Sequence, residues 1–223
     1  METITRAILL NTRDYKEADK LATLFSRELG KMNVRFVGVA KPKAKLKAIA
    51  QPFSLAEYEL MRTGDFYKVK TAKLLDNYAN ILTDFEAVKC GYAMLETIDK
   101  VLPNNEAEVE VFDTLTASLD SLCQPVDKKS VLISFWLGFC SALGTPILSP
   151  EIDASYKNCY LDTMNGIISP IRQADCVAID NSVLQTLLGN GQKYDNAINL
   201  LYRILKIKYG INLHSMELFF NNL

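Results

Sequence analysis

The 223-residue sequence predicts an α+β protein in which a five-stranded β-barrel is followed by a helical domain. Short β-branched and aromatic segments separated by turn residues fill residues 1–79. From about residue 80 the apolar residues recur with the period of a helix. The charge changes sign at the same place, because residues 1–79 carry 15 Lys and Arg against 9 Asp and Glu, and residues 80–223 carry 10 against 17. We therefore predict two domains, 1–79 and 80–223.

Five strands are predicted in the first domain. Gly30 and Gly64 lie between strands, where tight turns need a positive φ angle. Pro42 lies in a basic connection between the third and fourth strands, and the segment LKAIAQ that follows is compatible with a short helix. Five short strands are typical of a small closed barrel, and the OB-fold is the five-stranded barrel that binds oligonucleotides. The strand segments are ITRAILLNT, KLATLFSRE, MNVRFVGVA, FSLAEYELM and FYKVKTAKLL.

The second domain is predicted to be helical. Its first helix is expected to begin at a capping box formed by Thr83 and Glu86, and to end before Pro103. A second helix covers residues 109–122, and the segment VLISFWLGFCSALG is apolar on all sides, which predicts a central buried helix. Residues 145–180 are predicted to be irregular or partly strand-like, with helices following at about 181–189, 194–209 and 214–222. The apolar stripe of the first helix consists of Ile81, Phe85, Val88, Tyr92, Leu95 and Ile98.

The composition argues against several classes of protein. A chain with 49% hydrophobic and 23% charged residues is globular rather than disordered. No apolar run reaches the roughly 18–20 residues of a membrane span, and the N-terminus lacks the pattern of a secretory signal. The odd count of 5 widely spaced cysteines argues against a disulfide framework. We expect a soluble cytoplasmic protein.

The sequence offers little for catalysis. His214 is the single histidine, so a Ser-His-Asp triad would depend on it, and a His-rich metal site is excluded. Neither of the common glycine-rich phosphate loops, G-x-x-x-x-G-K-[ST] and G-x-G-x-x-G, occurs. His214 precedes a predicted helix, which favours a capping or surface role. We expect no catalytic residues and a protein that is not an enzyme, although paired carboxylates alone can serve a hydrolase.

The basic charge of the first domain is concentrated between Arg27 and Lys47, where Glu28 is the only acidic residue. Alternating lysines in KPKAKLK suit contacts to phosphates, and the alternative is that they only solvate an exposed loop. Aromatic residues surround the segment, as expected where bases stack beside a groove that follows the phosphates. The same rings also fit a strand-face core. They are Phe25, Phe36, Phe53, Tyr58, Phe66 and Tyr67.

Two motifs in the first domain resemble the RecO family of bacterial DNA repair proteins. The first is TRDY at residues 12–15 with Glu17, followed by DKL at 19–21 and TL at 23–24, and then by Ser26, Glu28, Gly30 and Lys31. The second is the basic segment GVAKPKAK, followed by Gln51-Pro52-Phe53. Together they cover about the first quarter of the chain. Beyond it, the helical pattern is compatible with the family.

The resemblance implies a recombination mediator with an N-terminal OB domain and a helical C-terminal domain. RecO-like proteins bind single- and double-stranded DNA and anneal complementary strands. They also bind RecR and the tail of single-strand-binding protein, and help RecA onto coated DNA. We therefore expect these partners, no membrane partner and a location at the nucleoid. The matching positions imply DNA contacts by Lys31, Arg35, Lys41, Lys43 and Lys45, to which Arg13, Lys20 and Lys47 are added as further candidates.

One feature departs from the family. Many RecO-like sequences carry two C-x-x-C motifs that bind zinc in the second domain. In this sequence the corresponding stretch has only Cys159 and Cys176, and Asp162 and Ile179 occupy the positions of their partners. Because a zinc site needs about four nitrogen or sulfur ligands, we predict no metal and no cofactor.

The tail of single-strand-binding protein is acidic and ends in an apolar residue, so its receptor needs an apolar pocket rimmed by cations. The alternative is that the available cations only solvate helix faces. Two other functions also remain open, an RNA-binding OB-fold protein and a protein scaffold with no direct role on DNA. The candidate cations of the second domain are Lys128, Lys129, Arg203, Lys206 and Lys208.

Overall fold

A computed structural model describes residues 2–41, 43–64, 66–173 and 175–220. Pro42 and the end of the last predicted helix, 221–222, lie outside the described residues. The first domain is a closed barrel with the strand order β1-β2-β3-β5-β4, in which β4 pairs back onto β1 and β3 pairs with β5 in parallel. This confirms the predicted five-stranded OB-fold. Its strands are β1 (Glu2–Tyr15), β2 (Asp19–Ser26), β3 (Gly30–Phe36), β4 (Leu55–Thr63) and β5 (Phe66–Asp76).

The barrel strands follow the alternation of strands with one buried face. In β4, Ala56, Tyr58 and Leu60 are buried, whereas Glu57 and Glu59 lie on the outer side. The run AILL in β1 is different, because residues 7–10 are all buried. Ala7 and Leu9 belong to the barrel core, and Ile8 and Leu10 belong to the core of the helical domain. β1 is therefore covered on both faces, which explains its uninterrupted apolar sequence.

The described part of the connection between β3 and β4 consists of turns. Residues 45–49 form consecutive turns, with hydrogen bonds from the Lys47 N–H to the Ala44 carbonyl at 3.2 Å and from the Ala50 N–H to the Leu46 carbonyl at 3.0 Å. The short helix considered for LKAIAQ is therefore absent from the described part of this connection. Ile49 and Ala50 are buried in the barrel core, and this holds the connection against the barrel.

The second domain is built around one central helix, as predicted. This helix, α3 (Lys128–Ala142), packs against its neighbours α1 (Phe85–Val101), α2 (Val109–Leu122) and α5 (Tyr194–Tyr209). The fully buried Trp136 donates a hydrogen bond from Nε1 to the Thr97 hydroxyl at 3.0 Å. The remaining helical elements are 3₁₀ turns at Ala79–Thr83 and His214–Met216, α4 (Asn181–Leu187) and α6 (Glu217–Phe220).

The predicted capping box at the start of α1 is wrong. Asp84 is the N-cap, and its carboxylate accepts hydrogen bonds from the backbone N–H groups of Glu86 at 2.9 Å and Ala87 at 3.2 Å. The Thr83 hydroxyl instead donates to the Asn80 carbonyl. The predicted apolar stripe also needs correction, because Phe85 is 64% exposed and lies outside the core.

Residues 145–180 contain a small antiparallel sheet, so the second domain is not entirely helical. The sheet has the order β7-β6-β8, with β6 (Cys159–Asp162), β7 (Ile167–Ser169) and β8 (Cys176–Ile179). Within the four described ranges, no helix combines the length and the hydrophobicity that a bilayer crossing requires.

The barrel and the helical domain are joined by close contacts. Phe53, which has a φ of 70°, packs against Gly91 of α1 so tightly that a Cβ added at Gly91 would lie 2.7 Å from the Phe53 ring. Arg27 makes a bidentate ion pair with Asp113 of α2, at 2.9 and 3.0 Å. The Q-P-F motif is therefore part of the junction between the domains.

The buried hydroxyl of Tyr58 offers a test of the barrel core. Tyr58 is fully buried, burial raises its pKa, and its hydroxyl has no hydrogen-bond partner among the described residues. Tyr58→Phe is expected to leave the free energy of unfolding unchanged or to raise it by up to about 1 kcal/mol, since it removes an unsatisfied polar group. Tyr209→Phe is the control, because the Tyr209 hydroxyl shares a 2.6 Å hydrogen bond with the Thr145 hydroxyl. Urea unfolding should show a loss of about 1 kcal/mol for the control, and an equal loss for Tyr58→Phe would contradict the expectation.

Candidate nucleic-acid interface

The basic loop, defined as residues 41–47, presents four lysines to solvent. Lys41, Lys43, Lys45 and Lys47 are all exposed, and none of them forms an ion pair with a described residue. The apolar residues around them point the other way, because Val39 and Ile49 are buried in the barrel core and Leu46 packs against it. The apolar side chains of this segment therefore anchor it to the barrel, whereas its lysines point to solvent.

The start of the loop is attached to the turn between β1 and β2. The Ala40 N–H donates to the Ala18 carbonyl at 2.9 Å, and the Gly38 N–H donates to Asp19 Oδ1 at 2.7 Å. The pKa of Asp19 lies below its ordinary value, chiefly because its carboxylate accepts a hydrogen bond from the Gly38 N–H. The hydrogen bond from Arg35 makes the next largest contribution. These bonds tie the start of the basic loop to the β1–β2 turn, which carries the exposed Lys16.

A row of side chains crosses the outer face of the barrel at the same end. In the strand register Arg13 lies opposite Leu21, Leu21 opposite Arg35, and Arg35 opposite Lys68. Directly paired residues point to the same face of a sheet. The barrel row, defined as Arg13, Leu21, Arg35 and Lys68, therefore crosses four strands and places two further cations, Arg13 and Lys68, on the face that also carries Arg35.

A shallow groove of about 310 Å³ lies next to the barrel row. Phe66, at the start of β5, is 44% exposed and lines it together with the polar side chains of Asn11 and Asn33. An exposed ring beside cations is the arrangement on which a base of single-stranded nucleic acid stacks. The other predicted aromatic residues are core, since Phe25, Phe36, Phe53 and Tyr58 are fully buried and Tyr67 is half-buried against the barrel core.

Two of the predicted DNA-binding residues are occupied by other contacts. Lys31 is 9% exposed, and its Nζ donates to the Asp99 carbonyl at 2.5 Å and lies 3.9 Å from the Asp99 carboxylate. Burial lowers the pKa of Lys31. Lys31 therefore links β3 to α1, and its charge does not add to the positive surface of the basic loop. Arg35 is half-buried in an ion pair with Asp19.

The remaining candidates differ in exposure. Arg13 is exposed, whereas Lys20 is half-buried opposite Asp14 in the register of β1 and β2. Neither forms an ion pair with a described residue. Lys68 was missed by the sequence analysis. The alternation in FYKVK indicates that it points outward, but its place beside Arg35 depends on the parallel pairing of β3 with β5.

The outer surface of β4 and β5 is electrostatically different. Lys70 lies 2.8 Å from both Glu2 and Glu59, and Arg6 lies 3.9 Å from Glu57. Arg62 and Lys73 of the same two strands are exposed and form no ion pair with a described residue. The basic loop differs from this surface in having four such lysines within seven residues and no carboxylate among them.

The predicted cations of the second domain do not form one cluster. Lys129 lies 2.6 Å from Asp195 at the start of α5, and Lys128 donates to the Gln124 carbonyl. Lys206 lies 11 residues after Asp195 on the same helix, which places them roughly 16 Å apart along its axis. Lys208 is half-buried, and burial lowers its pKa.

Arg203 differs from these lysines because it lines a groove whose walls are partly apolar and partly polar. The groove has a volume of about 440 Å³ and lies between β8 and α5. Val177 of β8, 58% exposed, and Leu200 of α5 contribute apolar walls. Asp180 also lines it, so its rim carries both signs of charge.

The zinc-motif positions of the second domain face each other in a strand pair. Cys159 lies opposite Ile179, and Asp162 lies opposite Cys176. Residues three apart on a strand point to opposite faces, so the two pairs lie on opposite sides of the sheet. Across the described residues, no three His, Cys, Asp or Glu side chains are grouped as a metal would require. These residues therefore do not fit a zinc ion, and the absence of a cofactor stays a prediction.

His214 lies at the surface. Its backbone N–H and that of Ser215 donate to the Glu96 carboxylate, at 2.9 and 2.8 Å. These bonds attach the C-terminal 3₁₀ turn to α1.

Comparisons with known proteins agree with this architecture. The family model described as "Recombination protein O N terminal" matches residues 1–78, which contain the barrel, and the model described as "Recombination protein O C terminal" matches residues 82–148. The DNA repair protein RecO of Clostridium novyi (strain NT) is 31% identical over 141 residues, which are 63% of this chain and 55% of that protein.

Two further relatives carry the same description. The DNA repair protein RecO of Desulfitobacterium hafniense (strain DSM 10664 / DCB-2) is 33% identical over 62% of this chain and 50% of its own length. That of Clostridium kluyveri is 24% identical over 92% of this chain and 81% of its own length. The chain thus spans about half the length of the first two relatives. With both family models matched in chain order, the chain belongs to the RecO family.

Proposed function

We propose that this protein binds single- and double-stranded DNA as a recombination mediator in DNA repair. The observation that carries the proposal is the basic loop, which is anchored to the barrel and carries four exposed lysines that form no ion pair with a described residue. The barrel row adds Arg13 and Lys68, and Phe66 offers a ring for one base. Membership of the RecO family supports a role in repair. The role requires binding and annealing, and no step in it makes or breaks a covalent bond of the substrate.

The chemistry of the interface suits strand annealing. Two complementary strands are polyanions that repel each other, so bringing them together requires neutralisation of their phosphates. Lysine side chains act as flexible point charges and impose no base geometry. Contacts to phosphates position a strand without reading its sequence, which leaves the base edges free to pair.

The proposal is tested with a labelled single-stranded oligonucleotide titrated across a salt series, followed by addition of the complementary strand. If the four loop lysines each contact a phosphate, the logarithm of the affinity should fall with that of the salt concentration with a slope of about −3. Annealing should be faster than without protein. Tighter binding to RNA of equal length, without annealing, would favour the RNA-binding alternative. Negligible binding near physiological salt would favour a protein scaffold.

We further propose that the protein acts with RecR and with the tail of single-strand-binding protein, and so helps RecA onto coated DNA at the nucleoid. The groove between β8 and α5 supports the second partner. Its apolar walls suit the apolar end of the tail, and Arg203 supplies a cation for its acidic residues.

Arg203→Glu is expected to weaken binding of an acidic peptide with an apolar C-terminal residue by about tenfold or more, since the variant places a like charge at the rim of the groove. Lys206→Glu is the matched control. It makes the same change of charge on the same helix, at a residue that does not line the groove. Fluorescence anisotropy of the labelled peptide measures both variants. Equal effects would show that the groove is not the site.

A further inference from the structure

The most connected carboxylate on the basic side of the barrel is that of Asp19, the first residue of β2. Asp19 is 8% exposed. Its Oδ2 accepts hydrogen bonds from Arg35 Nε at 2.8 Å and Arg35 Nη2 at 2.5 Å, and its Oδ1 accepts from the Gly38 N–H at 2.7 Å. The Arg35 guanidinium also lies 5.3 Å from the centre of the Tyr15 ring. One carboxylate therefore holds a side chain of the barrel row and the backbone where the chain leaves β3.

The bond to Gly38 lies at the point that sets the direction of the basic loop. Gly38 has a φ of 69°, a left-handed conformation that turns the chain away from β3. Two residues later, the Ala40 N–H binds the Ala18 carbonyl of the β1–β2 turn. Lys41 follows directly. Two hydrogen bonds to the β1–β2 hairpin therefore fix the backbone where the loop begins. The Asp19 carboxylate accepts one of them, and the Ala18 carbonyl accepts the other.

An acidic residue in this place works against phosphate binding if charge alone matters. Its field weakens the attraction of the neighbouring lysines for DNA, and it neutralises Arg35. Hydrogen bonds to an ionised acceptor are strong and directional, so the same carboxylate can fix the geometry of the groups that contact DNA. If charge alone matters, removing the negative charge of Asp19 should strengthen DNA binding. If the geometry that Asp19 fixes matters more, removing that charge should weaken DNA binding.

We propose that Asp19 is a positioning residue for DNA binding, which holds the basic loop and the barrel row in the arrangement that contacts the phosphates. This inference rests on the proposed function. Asp19 does not touch DNA itself; it acts through Gly38, which orients the loop, and through Arg35, which it holds against Tyr15.

The experiment compares Asp19→Asn with Asp14→Asn in the same salt series on single-stranded DNA. Both variants remove one negative charge from the β1–β2 hairpin, but the Asp14 side chain is exposed and has no hydrogen bond or ion pair with a described residue. Asp19→Asn places an amide against the Arg35 guanidinium and breaks the ion pair. It should weaken binding about tenfold and make the salt slope shallower by about 0.7, the value of one lost phosphate contact. Asp14→Asn should bind as tightly as the unmodified protein or more tightly.

Limited trypsin digestion gives a second measurement that needs no DNA. Cleavage after Lys43, Lys45 and Lys47 should be faster in Asp19→Asn, because a loop that has lost an anchor opens more often. If the unmodified protein fails to bind DNA, the proposed function fails, and digestion still shows whether Asp19 holds the loop. If Asp19→Asn binds DNA as tightly as Asp14→Asn, the positioning role is overturned.

Asp19→Glu covers the case in which Asp19→Asn does not fold. It keeps the charge but places the carboxylate one methylene further from the backbone, so it cannot make all three bonds in the same geometry. Because the net charge is unchanged, weaker binding and faster digestion would both support positioning. Unchanged affinity would overturn it.

Discussion

Replacing Lys41, Lys43, Lys45 and Lys47 together by glutamate is expected to lower the affinity for single-stranded DNA by about two to three orders of magnitude at low salt. The four lysines are exposed and have no carboxylate partner among the described residues, so their charge is available to phosphates. Each phosphate contact contributes about 0.7 to the salt slope of a single strand. The slope should therefore decrease in magnitude by about 3.

A second quadruple variant controls for net charge. Lys157, Arg172, Lys193 and Lys206 are exposed and lie in the second domain. Changing these four to glutamate alters the net charge of the protein by the same amount. We expect a small loss of affinity, because charges beyond the Debye length of about 10 Å are largely screened at 0.1 M salt. Equal losses in both variants would indicate a general charge effect. No loss in either would show that the basic loop is only a solvated surface.

Gly30→Ala is expected to lower the free energy of unfolding by about 3–5 kcal/mol, the largest stability effect predicted for this chain. Gly30 has a φ of 70°, and a Cβ there would lie 1.9 Å from the Glu106 carbonyl oxygen. The clash is with backbone that is itself held, because the Asn105 N–H donates to the Lys31 carbonyl at 2.8 Å. The segment after α1 would have to move away from the barrel.

Gly64→Ala separates the two causes of this effect. Gly64 has a φ of 62°, but apart from its chain neighbours no described residue lies within 4 Å of a Cβ built there. This variant carries only the cost of a left-handed alanine, about 1–2 kcal/mol. Urea unfolding of both variants measures the difference. If the two losses are equal, the contact between Gly30 and residue 106 does not stabilise the junction of the domains.

Several elements could be predicted because their signals are local. The alternation of Ala56, Tyr58 and Leu60 with Glu57 and Glu59 reports a strand with one buried face. The apolar sequence of α3 indicates a central helix, and its large side chains from Leu132 to Phe139 are mostly buried, although Ser134 and Ser141 are exposed. The errors are local as well: Thr83 and Asp84 both suit a helix cap, and hydrogen bonding to the N–H groups of α1 selects Asp84.

The sequence by itself determined the barrel, the central helix and the segment that carries the positive charge, because periodicity and composition report which faces are buried. The tertiary structure decided which charges are available. Lys31 and Lys41 are both lysines of one basic segment, yet Lys31 is buried against Asp99 and Lys41 is exposed. Asp19 acquires its role from Arg35 and Gly38, 16 and 19 residues away along the chain. The availability of a charge depends on partners that only folding brings near, and no local pattern encodes them.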